Sequence, residues 1–376
     1  RFASFDNIPD PDRRLRIGYV SGDFQYHVVP LFLMPVLEER DRSAVEVYCY
    51  STGDTADKFT ERLRNLADVW HATSPMSPNE VADLIHRDRI DILVDLAGHS
   101  GTPNLRIFAQ RPAPVQATWV GYLNTTGLSR IQYRISDNHS DPPGLTDRYH
   151  TEQLLRLPHS QWCYRPFVEV DCEYEAPFKR NGCVTFGSFN QTVKITPAVR
   201  KLWGEILTQV PDSRFVVVGV VDNRAREDLY RDLENAGVSR DRITMVPYIP
   251  IEEYYRWFGR VDIALDTMPF SGGTTTCDAL WMGVPVITCP GSRSWSRSAA
   301  SILTTLGLTD GIAESQEDYV RRAVQLAGNP ARIAQLRKTL RSRMIESPLM
   351  DKRLFARDME NAFRRIWQTW CKNPGG

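Results

Sequence analysis

The sequence predicts an α/β protein built from two doubly wound, Rossmann-like domains. Three observations carry this expectation. Short apolar runs alternate with helical stretches along most of the chain, the alternation weakens once near the middle and then restarts, and 376 residues suffice for two cores of ordinary size. Strands of a parallel sheet covered on both faces read as continuous apolar runs, and that is how most of these runs read.

The elements follow in order. After a polar, Pro-containing leader at 1–14, LRIGYV (15–20) is a buried strand and FLMPVLEER (32–40) a helix. VEVYCY (45–50), helices at 58–66 and 79–87, and ILVDLAG (92–98) repeat the alternation, which continues through VQATWVGY and YRISD. PFVEVDCEYEAPFKRNG (166–182) is charged and contains prolines, so it reads as the linker. The expected domains are therefore 1–168 and 179–376. In the second, VTFGSF (184–189), a helix after Pro197, FVVVGVV (215–221), a charged helix, ITMV, a short helix at 252–257, IAL and VITC (286–289) form another doubly wound set. From Gln316 onward the pattern is helical. Phe355, Phe363, Trp367 and Trp370 give the last helix an apolar stripe expected to pack back on the first domain.

Composition narrows the function. Lys plus Arg and Asp plus Glu balance at 46 each, which argues against a general nucleic-acid binder. No apolar segment is long enough to span a membrane, and the leader lacks a signal-peptide pattern. Seven scattered cysteines without a C-x-x-C pair predict reduced thiols and a cytoplasmic protein. The Asp10-Pro-Asp12 motif stands alone in the leader, and no metal site is expected.

In open parallel sheets ligands bind beyond the carboxyl ends of the strands, and two such sheets facing each other would make a cleft with one substrate on each side. SGGTTTCDALWMGVP (271–285) lies at such a place, between two apolar runs. Gly272 and Gly273 let backbone approach an anion, while Thr274 and Thr275 supply N–H and hydroxyl donors at a helix start. On the residues alone this is either a phosphate-binding turn or a Thr-rich helix cap without a ligand. Asp278, one turn further, is placed either to reach a ribose diol or to complement the helix dipole. FGSFNQTVKI (186–195) delivers Gln191 and Lys194 towards the same side of the same sheet, where an ammonium can meet charge growing on a departing diphosphate. In the first half, SGDFQYHVVP (21–30) puts His27 at a strand end, as either a proton acceptor or a structural residue. His99, in DLAGHSG, is the second choice for base or a substrate contact. GYLNTTG (121–127), with Asn124 and Thr125, is either a tight turn or a loop suited to sugar hydroxyls.

Taken together, SGDFQYH, DLAGHSG, RPAPVQATWVGYLNTTG, FGSFNQTVKI, DTMPFSGGTTTCDALWMGVPV, SRSAAS and SPL, in this order, resemble the catalytic region of the O-GlcNAc transferase family in its compact bacterial form. The resemblance runs from about residue 15 to about residue 370. It implies a GT-B glycosyltransferase that inverts the anomeric centre without a metal or other cofactor. It implies UDP-GlcNAc as donor, Ser or Thr hydroxyls of a protein or peptide as acceptor, and a tetratricopeptide region upstream in the full-length protein. Carried over by motif, Thr274 and Thr275 match the helix start that holds the diphosphate, and Lys194 and Gln191 its side-chain clamp. Asp278 matches the ribose contact, and His27 a histidine close to sugar and acceptor. Where animal members place a histidine near the uracil and a lysine beside it, IPIEEYYRW offers Tyr254 and Ile251. His27 is followed by Val28-Val29-Pro30 in place of the usual smaller residues. A UDP-glucose-dependent asparagine glucosyltransferase, a sugar-nucleotide epimerase, and a UDP-sugar-binding scaffold with lapsed activity are the rival expectations.

Overall fold

The computed structural model describes residues 2, 4–101 and 104–374. The chain divides into two compact units, residues 1–165 with 351–376, and residues 166–350. The division therefore falls at Arg165, ahead of the stretch read as linker, and the closing segment counts with the first unit rather than the second.

Among the described residues the first unit carries β1 (Leu15–Ser21), β2 (Val45–Ser51), β3 (Val69–Ala72), β4 (Ile92–Asp95), β5 (Val115–Thr118), β6 (Tyr133–Asp137) and β7 (Gln153–Leu157). They form one parallel sheet in the order β3-β2-β1-β4-β5-β6-β7. Ile17 of β1 pairs with Val47 on one side and Ile92 on the other, and all three are buried. The chain winds outward from β1 to β3 and then returns beside β1 with β4. That reversal is a switch point, where the loops leaving two neighbouring strands diverge and leave room for a ligand.

The Val28–Glu39 helix follows β1. Its buried run from Val29 to Leu37 includes two prolines, of which Pro30 lies in the first turn, where the missing N–H costs nothing. It packs against the Lys352–Lys372 helix, which belongs to this unit. Phe355, Phe363, Trp367 and Trp370 are buried there, Trp367 Nε1 donates to the Asp10 carbonyl at 2.9 Å, and Arg13 lies 4.6 Å over the Trp367 ring. Asp10 and Asp12 thus belong to a leader strapped along the last helix; Asp10 also accepts the Asp12 N–H at 2.9 Å.

The second unit carries β8 (Thr185–Ser188), β9 (Arg214–Val218), β10 (Ile243–Val246), β11 (Ile263–Leu265) and β12 (Val286–Ile287). These are parallel in the order β10-β9-β8-β11-β12. Its core gathers Phe186, Trp203, Phe215, Val217, Ile263 and Tyr319. Here the switch point lies between β8 and β11, so the loops at 189–194 and 266–273 flank it. Those loops hold Gln191, Lys194, Gly272 and Gly273, and the second leads into the helix of Thr274 and Thr275.

Candidate functional site

Asp266, the first residue beyond β11, organises the second unit's switch point. Its buried carboxylate accepts the Gly272 N–H at 2.7 Å, the Ser271 hydroxyl at 2.8 Å, the Thr288 hydroxyl at 2.7 Å and the Asn190 amide at 3.3 Å. Burial pushes this carboxyl up, and those donors work against the rise. The turn is drawn so close that a Cβ at Gly272 would stand 2.5 Å from Thr275 Oγ1 and 2.9 Å from Asn190 Oδ1, so only glycine fits.

The Thr274–Trp281 helix starts on Gly273, and no side chain caps it. The Thr-rich cap that the sequence left open is not what forms. Thr275 donates its hydroxyl to Asn190 Oδ1 at 3.0 Å, and Thr276 donates to the Gly272 carbonyl at 3.0 Å. Both hydroxyls thus spend their protons on acceptors, and the first-turn N–H groups gain no side-chain partner from them. Such a terminus carries the positive end of the helix dipole and suits an anion.

Lys194 closes a one-turn helix, Thr192–Lys194, in the loop after β8. Its Nζ donates to the Ser271 carbonyl at 3.2 Å and sits 4.3 Å above the Phe270 ring. Burial lowers its pKa, and the Asp266 charge only partly offsets that. An ammonium spending one of three N–H donors on a carbonyl is poised for a further acceptor beside the helix start. Gln191 precedes it, exposed. Lys194, Gly272, Gly273, Thr274 and Thr275 are therefore brought together through Asp266, Asn190 and Ser271.

Asp278 lies in the Thr274–Trp281 helix. It is 2% exposed and accepts the Tyr254 hydroxyl at 3.1 Å and the Tyr255 hydroxyl at 2.8 Å. In the structure it holds those tyrosines, one hydroxyl on each carboxylate oxygen. Tyr254 is partly exposed and stands edge-on to Phe189 at 5.7 Å and to Phe258 at 5.3 Å, forming the aromatic wall beside the loop after β8.

In the first unit His27 and His99 follow β1 and β4, the two strands of its switch point. The loops touch, since a Cβ at Gly101 would lie 3.3 Å from Asp23 Oδ2. His27 is the N-cap of the Val28–Glu39 helix, its Nδ1 accepting the Val29 N–H at 3.4 Å with Asp23 Oδ2 4.0 Å away. In the neutral ring this bond puts the proton on Nε2. His99 is arranged the other way. Its Nε2 meets the Thr126 carbonyl at 2.8 Å, and since a carbonyl only accepts, in the neutral ring Nε2 carries the proton and Nδ1 is bare. Before it, buried Asp95 accepts the Ala97 and Gly98 N–H groups and the Thr118 hydroxyl, and burial raises its pKa.

In the loop with Asn124 and Thr125, the threonine hydroxyls are engaged inside the unit. Thr125 donates to Glu152 Oε2 at 2.8 Å, and Thr126 donates both its N–H, at 2.7 Å, and its hydroxyl to Glu152 Oε1. The Asn124 carbonyl accepts from buried Arg134 at 3.3 Å. Glu152, Asp266, Asn190, Phe270 and Tyr255 escaped the sequence reading. The signal that could have found Asp266 and Asn190 is a polar residue standing directly at the exit of an apolar strand.

Two parallel sheets with these strand orders, and an uncapped helix start beside a buried amine, define a GT-B-type α/β protein. A protein from Anabaena solved with UDP and glucose shares the fold at 12% identity, with a TM-score of 0.58, over 93% of this chain and 100% of that one. The chain belongs to glycosyl transferase family 41, whose model matches residues 2–164 and 168–359. A mutant O-GlcNAc transferase from Thermobaculum terrenum is 39% identical with a TM-score of 0.92, over 99% of this chain and 71% of that one. The probable UDP-N-acetylglucosamine–peptide N-acetylglucosaminyltransferase SPINDLY of Petunia hybrida is 40% identical over 380 residues, covering 99% of this chain and 40% of that protein. The probable enzyme of the same description named SEC, from Arabidopsis thaliana, is 32% identical over 96% of this chain and 38% of its own length. The chain thus spans about two fifths of the length of the curated relatives it matches.

Proposed function

We propose that the chain is the catalytic region of an inverting, metal-independent transferase that moves N-acetylglucosamine from UDP-GlcNAc to serine or threonine hydroxyls of a protein. One observation carries the reading most directly. A helix start without a side-chain cap stands beside a buried lysine amine, both fixed by Asp266, and this is what a diphosphate leaving group needs. The names of the relatives support the donor and the peptide acceptor.

In this reading the second unit holds UDP. The N–H groups at Gly273 to Thr275 and the Lys194 ammonium meet the diphosphate, with Gln191 beside them, and Tyr254 lies against the base. The first unit handles the acceptor. A lone pair of the hydroxyl oxygen forms the new bond to the anomeric carbon as the bond from that carbon to the phosphate oxygen breaks, and that electron pair leaves with UDP. Lys194 and the helix start stabilise the charge that develops there. His27 donates through Nε2 and orients the acceptor, while His99 offers bare Nδ1 to take its proton.

The test is mass spectrometry of candidate acceptor proteins after incubation with UDP-GlcNAc, UDP-glucose or UDP-galactose, with and without EDTA. The expected product is a HexNAc adduct on serine or threonine from UDP-GlcNAc, undiminished by EDTA. A hexose on asparagine would make the protein an N-glucosyltransferase, consumption of donor without acceptor an epimerase, and UDP binding without turnover a scaffold.

A further inference from the structure

His99 is an exposed side chain, yet its ring is not free to choose a tautomer, and the reason lies outside the loop that carries it. The Thr126 carbonyl that takes the Nε2 proton belongs to the 121–127 loop, and two buried, oppositely charged groups clamp that loop. From β6, Arg134 donates Nη1 to the Tyr122 carbonyl at 2.9 Å and to the Asn124 carbonyl at 3.3 Å. From just ahead of β7, Glu152 accepts the Thr126 N–H, the Thr126 hydroxyl and the Thr125 hydroxyl. Tyr122, held by the same clamp, stands edge-on to the His99 ring at 5.1 Å. Burial works against ionisation of Glu152, but the hydrogen bonds from Thr126 and Thr125 outweigh it and hold its pKa below the ordinary value. The clamp is therefore a charged acceptor surrounded by donors. Its position has been bonded to residues 26 and 27 positions away in sequence.

The geometry points to Glu152 as a positioning residue for His99: by fixing Thr126 it fixes the carbonyl that holds the His99 proton on Nε2, and so presents Nδ1 as the proton-accepting nitrogen. Glu152 touches no reacting atom. It acts through Thr126, as groups behind a catalytic imidazole set which nitrogen is available. The catalytic consequence rests on the transferase reading above; the tautomer itself does not.

The experiment is nitrogen NMR on protein labelled with 15N-histidine, with His99→Asn used to assign the His99 signals among the seven histidines. In the neutral ring the parent should show the His99 proton on Nε2 alone. Glu152→Ala should populate the Nδ1–H tautomer, and Glu152→Gln, which can still accept from Thr126, should restore the parent pattern in large part. In a transfer assay Glu152→Ala should lower kcat by about 10-fold with KM for the nucleotide sugar unchanged, less than the roughly 100-fold expected from removing a proton acceptor outright. A parent His99 carrying its proton on Nδ1, or a Glu152→Ala protein with an unaltered tautomer, overturns the proposal. If Glu152→Ala does not fold, Glu152→Asp, which draws the carboxylate back by one methylene from the Thr126 N–H and both hydroxyls, takes its place, and an unaltered tautomer there overturns the proposal equally. A released tautomer with undiminished transfer would leave the positioning standing and remove His99 from the reaction.

Discussion

Replacing Lys194 by Met separates what the amine costs the fold from what it gives the ligand. Met keeps most of the apolar stem, and removes the ammonium together with its place over the Phe270 ring and its hydrogen bond to the Ser271 carbonyl. That bond is long at 3.2 Å, and the amine's lowered pKa shows that burial already works against its charged form. The ligand-free protein should therefore melt at the parent temperature or slightly above it. The donor should pay the whole difference. A hydrogen bond to a charged group is worth about 1.5–3 kcal/mol, so UDP affinity should fall roughly 10- to 150-fold. Transfer should fall by about 100-fold or more, because charge on the leaving group grows beyond that of the bound donor. Calorimetric titration of UDP, paired with melting curves with and without ligand, measures each quantity. A Lys194→Met protein that melts several degrees lower and binds UDP as tightly as the parent would refute the assignment and make the lysine structural.

The depressed pKa of Lys194 gives opposite pH trends with and without ligand. UDP affinity should decline as pH rises through the free amine's value, which lies below 10.5, since binding then requires a proton to be taken up, and the Lys194→Met titration should be flat. Ligand-free stability should instead gain from this group as pH rises between its folded value and 10.5, because the unfolded amine keeps its proton longer; melting curves across that window check the sign. His27→Asn should keep the helix cap and the parent stability, whereas His27→Ala should cost about 1 kcal/mol, and both should lower transfer while leaving UDP affinity intact; a fall in UDP affinity would put the histidine in the donor site. Trp367→Ala should cost roughly 3–5 kcal/mol, read by denaturant unfolding, because the ring is buried, stacks on Trp370 at 4.6 Å and holds the Asp10 carbonyl; an unchanged midpoint would show that the last helix adds little to its unit.

The sequence made some elements plain and hid others for physical reasons. Central strands such as β4 and β9 are covered on both faces and read as unbroken apolar runs. The strands it did not reveal, β3 (VWHA) and β7 (QLLRL), are the two edges of the first sheet, half-exposed and free to carry polar residues. FVVVGVV reads as one run, yet β9 stops at Val218, because Gly219 turns to a φ of 89°. At the site, the glycine turn and Lys194 were legible because backbone approach and charge leave local marks. Asp266 with Asn190, Asp278 with Tyr254, and Glu152 with Thr126 were not. Each is a pair whose members lie 24 to 76 positions apart, and only the folded sheet decides that they meet.

The first unit is assembled from two segments separated in sequence, with 166–350 made in between. During synthesis the β1–β7 sheet emerges first, yet the helix that covers Val28–Glu39 follows only after residues 166–350 have been made. Until then that helix's apolar side awaits its partner, a state open to chaperones and to aggregation. The second unit, continuous in sequence, can complete its core without waiting. Once folded it also brings its own two ends under a fixed separation, replacing a long flexible loop whose closure would otherwise oppose docking of the final helix. Contacts between such distant segments are slow to form. Maturation of the first unit should therefore lag behind, and a chain stalled before Asp351 would carry a finished second unit attached to an unfinished first.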